Sequence, residues 1–213
     1  MSSKRFADRQ AAGRALGERL VADHSPDVVV LGLPRGGVIL AAEVAGRLGA
    51  PLDVLVVRKL GLPWQPELAM GAIAAVGGTV VTVRVESVLA AARVPPDVFD
   101  EVREQELGEL RRRETAYRGD RPPVELHDRA VVLVDDGLAT GATMRAAVIA
   151  VRQQQPASIT VAVPIGSPTA CAALAPDVDE LVCLSAPGSF RAVGQAYADF
   201  SATSDAEVRS ALG

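Results

Sequence analysis

The stretch "VVLVDDGLATGAT", residues 131–143, contains the most informative pattern in the sequence. An apolar run of strand length ends in two adjacent carboxylates, Asp135 and Asp136, and only small or hydroxylic side chains and one leucine follow before Met144. This order predicts a strand, a turn and a helix. Ligands of open α/β sheets bind outside the carboxyl ends of the strands. The residues after this strand are therefore candidates for a ligand-binding site.

The remainder of the chain repeats the alternation of apolar runs and helical patterns, which predicts an α/β fold with a mostly parallel sheet flanked by helices. Predicted strands cover residues 27–33, 52–57, 130–136, 159–166 and 180–186, and two short strands surround a Gly-Gly turn within 72–83. Predicted helices cover residues 6–22, 36–49, 143–154 and 167–175, two helices within 86–118, and a terminal helix. Residues 58–70, rich in Pro and Gly, are predicted to be irregular. No repeat or linker divides the chain, so one domain over 1–213 is expected.

The composition excludes several classes of protein. A formal net charge of −4 over 213 residues argues against a general binder of nucleic acid or of membrane surfaces. The apolar runs are too short to span a membrane, and the N-terminus lacks the apolar core of a secretory signal. Cys171 and Cys183 form neither a disulfide framework nor a metal spacing, so they are expected to be small buried side chains in the cytoplasm. His24 and His127 lie away from the candidate sites and receive no catalytic role.

The turn at 137–143 is suited to a phosphate. Gly137 and Gly141 remove side-chain clashes, Thr140 and Thr143 offer hydroxyls, and the amides at the start of a helix favour an anion. The two preceding carboxylates are suited to a ribose diol, or to Mg²⁺ held through water. A simple capped helix would explain one acid and one glycine, but not both pairs together with both threonines. A Walker-type loop is excluded because no Lys follows the glycines.

The stretch resembles the phosphoribosyl-pyrophosphate (PRPP) signature of type I phosphoribosyltransferases. The resemblance implies a Rossmann-like sheet with a small hood, and Asp135 and Asp136 as the ribose pair, with Asp136 also catalytic. It implies that the 5-phosphate is held by Ala139, Thr140, Gly141, Ala142 and Thr143.

"GLPRGG", residues 32–37, resembles the pyrophosphate loop of that family. This implies pyrophosphate binding by Pro34, Arg35, Gly36 and Gly37, with a non-proline cis peptide near Arg35. Arg58 and Lys59 resemble a basic pair that reaches pyrophosphate from a mobile loop at about 58–70, although a basic pair that caps a strand end is also open. Trp64 in this loop either shields the site or simply packs.

The tail from 186 to 213 resembles the hood of purine-type members. Phe190 is then the candidate for stacking on the base, and Arg191 for contacting base or pyrophosphate, whereas Tyr197 and Phe200 are expected in the core. Ala139 stands where members acting on 6-oxopurines carry an acid, so hypoxanthine and guanine are disfavoured. Glu67 is the acid proposed to assist the base, and it completes the candidate catalytic set with Arg35, Lys59 and Asp136.

The motif order resembles a group of bacterial phosphoribosyltransferases whose acceptor is unassigned. We therefore expect an enzyme that uses Mg²⁺ and PRPP, transfers the phosphoribosyl group to a nucleobase-like acceptor, with a purine favoured, and releases pyrophosphate. A homodimer is expected, with no nucleic acid or membrane partner. The alternatives are a PRPP sensor with the same fold and no transferase activity, and a phosphoribosyl hydrolase or an enzyme with an unusual acceptor.

Overall fold

The main sheet consists of five parallel strands in a computed structural model that describes residues 5–21 and 27–213. The strands are β1 (Val28–Gly32), β2 (Leu52–Val54), β6 (Ala130–Val134), β7 (Ser158–Val163) and β8 (Glu180–Cys183). Their order is β2-β1-β6-β7-β8, and every neighbouring pair is parallel. From β1 the chain continues to one side of the sheet, and from β6 it continues to the other. The order therefore reverses between β1 and β6, which is where open α/β sheets bind their ligands.

Helices cover both faces of this sheet. On the first face, α1 (Arg9–Leu20) and α2 (Gly36–Leu48) pack on the side chains of Val30, Val132 and Val134. On the second face, α5 (Ala142–Arg152) packs on Val131 and Leu133. The short α6 (Pro168–Leu174) follows β7. Because alternate side chains of each strand point to opposite buried faces, the strands are apolar throughout rather than alternating. His24, and the end of the first predicted helix at residue 22, lie outside the described residues.

A second sheet contains three antiparallel strands, β3 (Val56–Leu62), β4 (Gln65–Val76) and β5 (Thr79–Arg84). It lies between α4 (Pro96–Arg118), which follows the short α3 (Glu86–Ala91), and α5. On β4, Ile73 and Ala75 pack in the cluster that contains Phe99 of α4, and Ala74 and Val76 pack in the cluster of α5. From Met70 onwards both faces of β4 are thus buried, as the apolar sequence of this part requires.

The prediction of an irregular segment over 58–70 is wrong. These residues belong to the hairpin of β3 and β4, in which Arg58 pairs with Ile73 and Leu62 pairs with Gln65, so that Pro63 and Trp64 form the turn. The prolines and glycines that suggested irregularity are confined to this tip and to a register shift near residue 61. Burial of the hairpin's apolar side chains against α4 supplies the order that local propensity does not.

The predicted strand at 52–57 is two strands, since Leu55 separates β2 from β3 and the chain changes sheets there. The predicted strand at 130–136 ends at Val134, which leaves both carboxylates beyond it. The remaining predicted strands and helices are present with small shifts of their ends. Among the described residues, no helix combines the length and apolar character needed to cross a bilayer.

The tail folds back onto the N-terminus. After a 3₁₀ turn at Val193–Ala196, the backbone of Phe6 donates a hydrogen bond to Ala196 O (2.7 Å) and accepts one from Ala198 N (2.8 Å). The terminal helix α7 (Asp205–Leu212) begins at a capping box made by Ser204 and Glu207. This pairing places the first turn of α1 beside the tail, and thereby beside the carboxyl end of β6.

Candidate active site

Two helices begin at the point where the strand order reverses. Helix α2 follows β1, and α5 follows the loop after β6. The residues that precede them, Arg35 and Gly141, provide no side-chain cap to the helix amides. Unsatisfied amides and the positive end of the helix dipole make each terminus a site for an anion. The site therefore offers two anion positions on adjacent strands.

The loop before α5 has exposed residues, and a side-chain hydrogen bond from Ser167 holds its backbone. Ala139, Thr140, Ala142 and Thr143 are exposed, and Gly141 adopts a left-handed conformation with φ of 79°. Within the described residues, the amides of 139–141 donate no hydrogen bond to the protein. The hydroxyl of Ser167, which precedes α6, donates a hydrogen bond to Ala139 O at 2.8 Å. The five residues predicted to hold a phosphate thus form one cup with available donors.

The loop before α2 approaches the acids closely. The peptide between Pro34 and Arg35 is cis, as the resemblance implied for a bond near Arg35. A Cβ atom on Gly37 would lie 2.7 Å from Val134 O, which is closer than any side chain tolerates. Glycine at this position therefore allows the loop to lie against the end of β6.

The acidic pair occupies the space between the two loops. Asp135 Oδ1 accepts a hydrogen bond from Asp136 N at 2.8 Å. Burial, and then the charge of Asp136, raise the pKa of Asp135 well above its ordinary value. Burial also raises the pKa of Asp136, and the guanidinium of Arg9 opposes this rise. Two carboxylates that are costly to ionise together favour a ligand that brings hydroxyl donors or positive charge.

Arg9 is the site residue that sequence reasoning missed. Its Nε and Nη2 atoms both lie 3.0 Å from Oδ2 of Asp136, although 127 positions separate the two residues. No local pattern marks Arg9 among the many arginines of the chain. The contact exists only because the tail holds the start of α1 against the end of β6.

The side chains of Arg58 and Lys59 pair with glutamates of α4 and of the hairpin. Arg58 forms an ion pair of 2.5 Å with Glu106 on α4, and Lys59 Nζ lies 3.4 Å from Oε2 of Glu67, which is itself almost fully exposed. Within the described residues, no hydrogen bond or ion pair joins either side chain to the acidic pair or to the two anion loops. The structure therefore does not bring this pair to the predicted pyrophosphate loop, and the roles of all three residues stay predictions.

The hood residues divide into two groups. Phe190 is half-buried against the core on the α1–α2 side of the sheet, and Arg191 is exposed, with its amide donating to Oε1 of Gln195 at 2.8 Å. Tyr197 is buried as predicted, and its hydroxyl donates to Asp136 O at 2.7 Å. Phe200 is 39% exposed, so its prediction as a core residue is wrong.

Other predicted features can now be placed. Trp64 is 60% exposed at the hairpin tip, which excludes simple packing within the chain. On α4, Arg112 and Arg113 both pair with Glu109. Cys171 and Cys183 are half-buried free thiols. In the described part of the chain, no group of three or more His, Cys, Asp or Glu side chains is arranged to hold a metal ion.

Comparison with known proteins identifies the family. Residues 4–199 match the model of the phosphoribosyl transferase domain. The chain belongs to the phosphoribosyl transferase family. The crystal structure of TT1426 from Thermus thermophilus superposes with a TM-score of 0.86 at 44% identity, covering 98% of this chain and 97% of that one. Both the predicted family and the predicted α/β fold are therefore confirmed.

Two curated relatives from Mycobacterium tuberculosis are longer than this chain. "Putative phosphoribosyl transferase Rv0571c" of strain H37Rv and "Putative phosphoribosyl transferase MT0597" of strain CDC 1551 are each 49% identical over 205 residues. The match covers 96% of this chain and 46% of each relative. The chain thus spans about half the length of the curated relatives that it matches.

Proposed function

We propose that this phosphoribosyl transferase domain binds PRPP and transfers its 5-phosphoribosyl group to a nitrogenous base, with release of pyrophosphate. One observation carries the proposal: an acidic pair lies between two uncapped helix N-termini at the reversal of the strand order. PRPP has a matching arrangement, since two anionic groups flank a ribose diol. Family membership supports the same substrate.

Each part of PRPP then has a partner. The 5-phosphate accepts hydrogen bonds from the amides of 139–143 and from the hydroxyls of Thr140 and Thr143. The diol donates to Asp135 and Asp136. The pyrophosphate lies over the start of α2, where Arg35 and the amides of Gly36 and Gly37 compensate its charge. Holding both ends of the molecule fixes the C1–oxygen bond for cleavage.

The chemical step needs charge stabilisation more than covalent assistance. As the C1–oxygen bond breaks, negative charge grows on the departing pyrophosphate, and Arg35 and the α2 amides would stabilise that charge. The acceptor nitrogen attacks the face of C1 opposite to the leaving group, which inverts the configuration, and the proton that this nitrogen loses passes to water or to the departing pyrophosphate. The half-buried Phe190 provides an apolar surface for a purine-like base on the hood side. Lys59 and Glu67 on the hairpin would join the site only if the hairpin moves.

The residues present also fit Mg²⁺. This ion prefers oxygen ligands and often takes one or two carboxylates, with waters and substrate phosphates completing the octahedron. Asp135 and Asp136 can supply that share, directly or through water. When bound, the ion would neutralise part of the diphosphate charge.

The experiment that tests this function is ³¹P NMR of Mg²⁺ and PRPP incubated with the protein and a pool of purine and pyrimidine bases. Controls omit the protein, the bases or Mg²⁺. Pyrophosphate that forms only with the pool supports the transferase, and dividing the pool identifies the acceptor. Pyrophosphate formed without bases would indicate hydrolysis instead. PRPP signals that broaden without any turnover would replace the transferase by a PRPP sensor.

A further inference from the structure

The interaction between Arg9 and Asp136 is more extensive than an ordinary surface ion pair. Two donors of the guanidinium, Nε and Nη2, converge on the single oxygen Oδ2 at 3.0 Å. The third nitrogen, Nη1, donates to Ser201 O at 2.7 Å. The side chain of Arg9 is only 13% exposed, and that of Asp136 is 19% exposed. An ion pair that is largely shielded from water and fixed by three donors has a defined geometry.

Aromatic rings of the tail hold the guanidinium from another side. Its central carbon lies 4.1 Å from the centre of the Phe200 ring, and Phe200 stacks on Tyr197 with the ring centres 5.0 Å apart. The Tyr197 hydroxyl donates to the backbone oxygen of Asp136. The same three tail residues, Tyr197, Phe200 and Ser201, thus restrain both Arg9 and Asp136.

The arrangement leaves one oxygen of Asp136 for a ligand. Both Arg9 donors use Oδ2, and among the described residues no other residue donates a hydrogen bond to Oδ1. Beside Oδ2 lies the start of α2, where a Cβ on Gly36 would fall 2.1 Å from that oxygen and 2.7 Å from Arg9 Nε. The carboxylate therefore cannot rotate freely, and its unused oxygen faces a fixed direction.

We propose that Arg9 is a positioning residue of the PRPP site: it holds Asp136 in the orientation that receives a ribose hydroxyl, and it connects that acid to the hood. The inference rests on the proposed function, because it assigns the ribose diol to this acid. Arg9 acts through Asp136 and makes no contact with the reacting atoms. Its effect should therefore appear with ligands that carry the ribose, and not with a ligand that occupies only the phosphate cup.

The test compares Arg9→Gln with Arg14→Gln as the matched control. Arg14 lies on the same helix and pairs with Glu43 at 3.4 Å, but its side chain is more than half exposed and lies outside the site. Dissociation constants are measured by calorimetry for Mg²⁺-PRPP and by ³¹P NMR for ribose 5-phosphate and inorganic phosphate. We expect Arg9→Gln to weaken both ribose ligands by about tenfold, the size of one charge-assisted hydrogen bond, and to leave inorganic phosphate within about twofold. Arg14→Gln should change none of the three.

A double-mutant cycle tests whether the effect passes through the acid. In the Asp136→Ala background, Arg9→Gln should add less than about a twofold change, since Arg9 then has no carboxylate to orient. Thermal unfolding checks that each variant folds. If Arg9→Gln is too unstable, Phe200→Leu, which removes the ring beneath the guanidinium, should weaken ribose 5-phosphate in the same direction by a smaller factor.

The outcomes separate the two proposals. Wild-type protein that binds neither Mg²⁺-PRPP nor ribose 5-phosphate would overturn the proposed function, and this inference with it. Wild-type binding that Arg9→Gln leaves unchanged would overturn the positioning role alone. Equal losses for ribose 5-phosphate and inorganic phosphate, or full additivity in the cycle, would also overturn it, because Arg9 would then act on the whole site rather than on Asp136.

Discussion

Gly36 and Asp136 are in contact across the site, so that a Cβ atom on Gly36 would lie 2.1 Å from Oδ2 of the carboxylate. The first residue of α2 is thereby fitted to an acid that follows β6, 100 positions later in the chain. Real side chains do not approach this closely, so any larger residue must displace the loop or the acid. The glycine at this position is required by packing against Asp136.

The substitution Gly36→Ala should therefore impair the site. We expect PRPP affinity to fall by up to about a hundredfold, because a displacement of about 1 Å in a positioned site has effects of this size. Gly46→Ala, on the same helix with no atom within 4 Å of the added carbon, is the matched control and should gain about 0.5–1 kcal/mol of stability. Calorimetric titration with Mg²⁺-PRPP and thermal unfolding measure the two effects. A folded Gly36→Ala protein with normal affinity would contradict the geometry.

The proposed function predicts that the loop at 139–143 and the acidic pair contribute separately to PRPP binding. Thr140→Val keeps the shape of the side chain and removes its hydroxyl, and Asp136→Asn removes the charge. Each should weaken PRPP by about tenfold, whereas Thr115→Val, at an exposed position of α4, should have no effect. Calorimetry on the three variants is the measurement. Unchanged affinity in both site variants would remove the assignment of the ligand.

A buried ion pair far from the cup should control stability. Arg118, at the end of α4, contacts both oxygens of Asp53 at 3.1 and 3.2 Å, and both residues are buried. Arg118→Met leaves Asp53 as an uncompensated buried charge, which should lower the free energy of unfolding by about 3–5 kcal/mol. Arg111→Met, on the exposed face of the same helix, should change it by less than about 0.5 kcal/mol. Urea denaturation compares them, and equal stabilities would contradict this prediction.

The thiol of Cys183 should react slowly. Burial, and then the neighbouring Cys171, raise its pKa to about 12, so the reactive thiolate is scarce at pH 8. We expect iodoacetamide to modify Cys183 in the folded protein at least about a hundredfold more slowly than in the denatured protein. Mass spectrometry of peptides after timed labelling gives both rates. Similar rates would show that the thiol is neither buried nor shifted.

Trp64 offers a direct test of whether the hairpin closes. It is the single tryptophan of the chain and is exposed at the tip between β3 and β4. Closure over bound substrate would transfer the indole to a drier environment, so Mg²⁺-PRPP should shift its fluorescence emission to shorter wavelengths. Mg²⁺ alone is the control. An unshifted spectrum at saturating PRPP would mean that the tip stays in water, and that Lys59 and Glu67 do not join the site by this movement.

The signals that sequence reasoning used correctly are local. The run at 131–143 specifies a strand, a turn and a helix through apolar periodicity and small residues, and the structure contains β6, a loop and α5 in this order. "GLPRGG", whose cis peptide near Arg35 was implied by the family resemblance alone, likewise specifies a tight turn before a helix. Such features can be predicted because each depends on a few consecutive residues whose steric and hydrogen-bonding preferences are known.

The residues whose structure was predicted wrongly depend on contacts with residues that are distant in sequence. Residues 58–70 contain enough Pro and Gly to suggest a loop, but burial of β3 and β4 against α4 and α5 makes them a hairpin. Phe200 has the hydrophobicity of a core residue, yet it stacks at the surface between Tyr197 and the guanidinium of Arg9. In both cases the stabilising free energy comes from contacts between surfaces that meet only when the chain folds.

The α/β class, the family and the loops that precede α2 and α5 could be predicted from short-range patterns in the sequence. Which charges meet depends on the tertiary structure. Arg9 reaches Asp136 because the tail pairs with the N-terminal segment, and Arg58 is held by Glu106 because β3 packs beside α4. Charge pairing acts over a few ångströms, and the positions that come so close are set by the whole fold rather than by their neighbours in the chain.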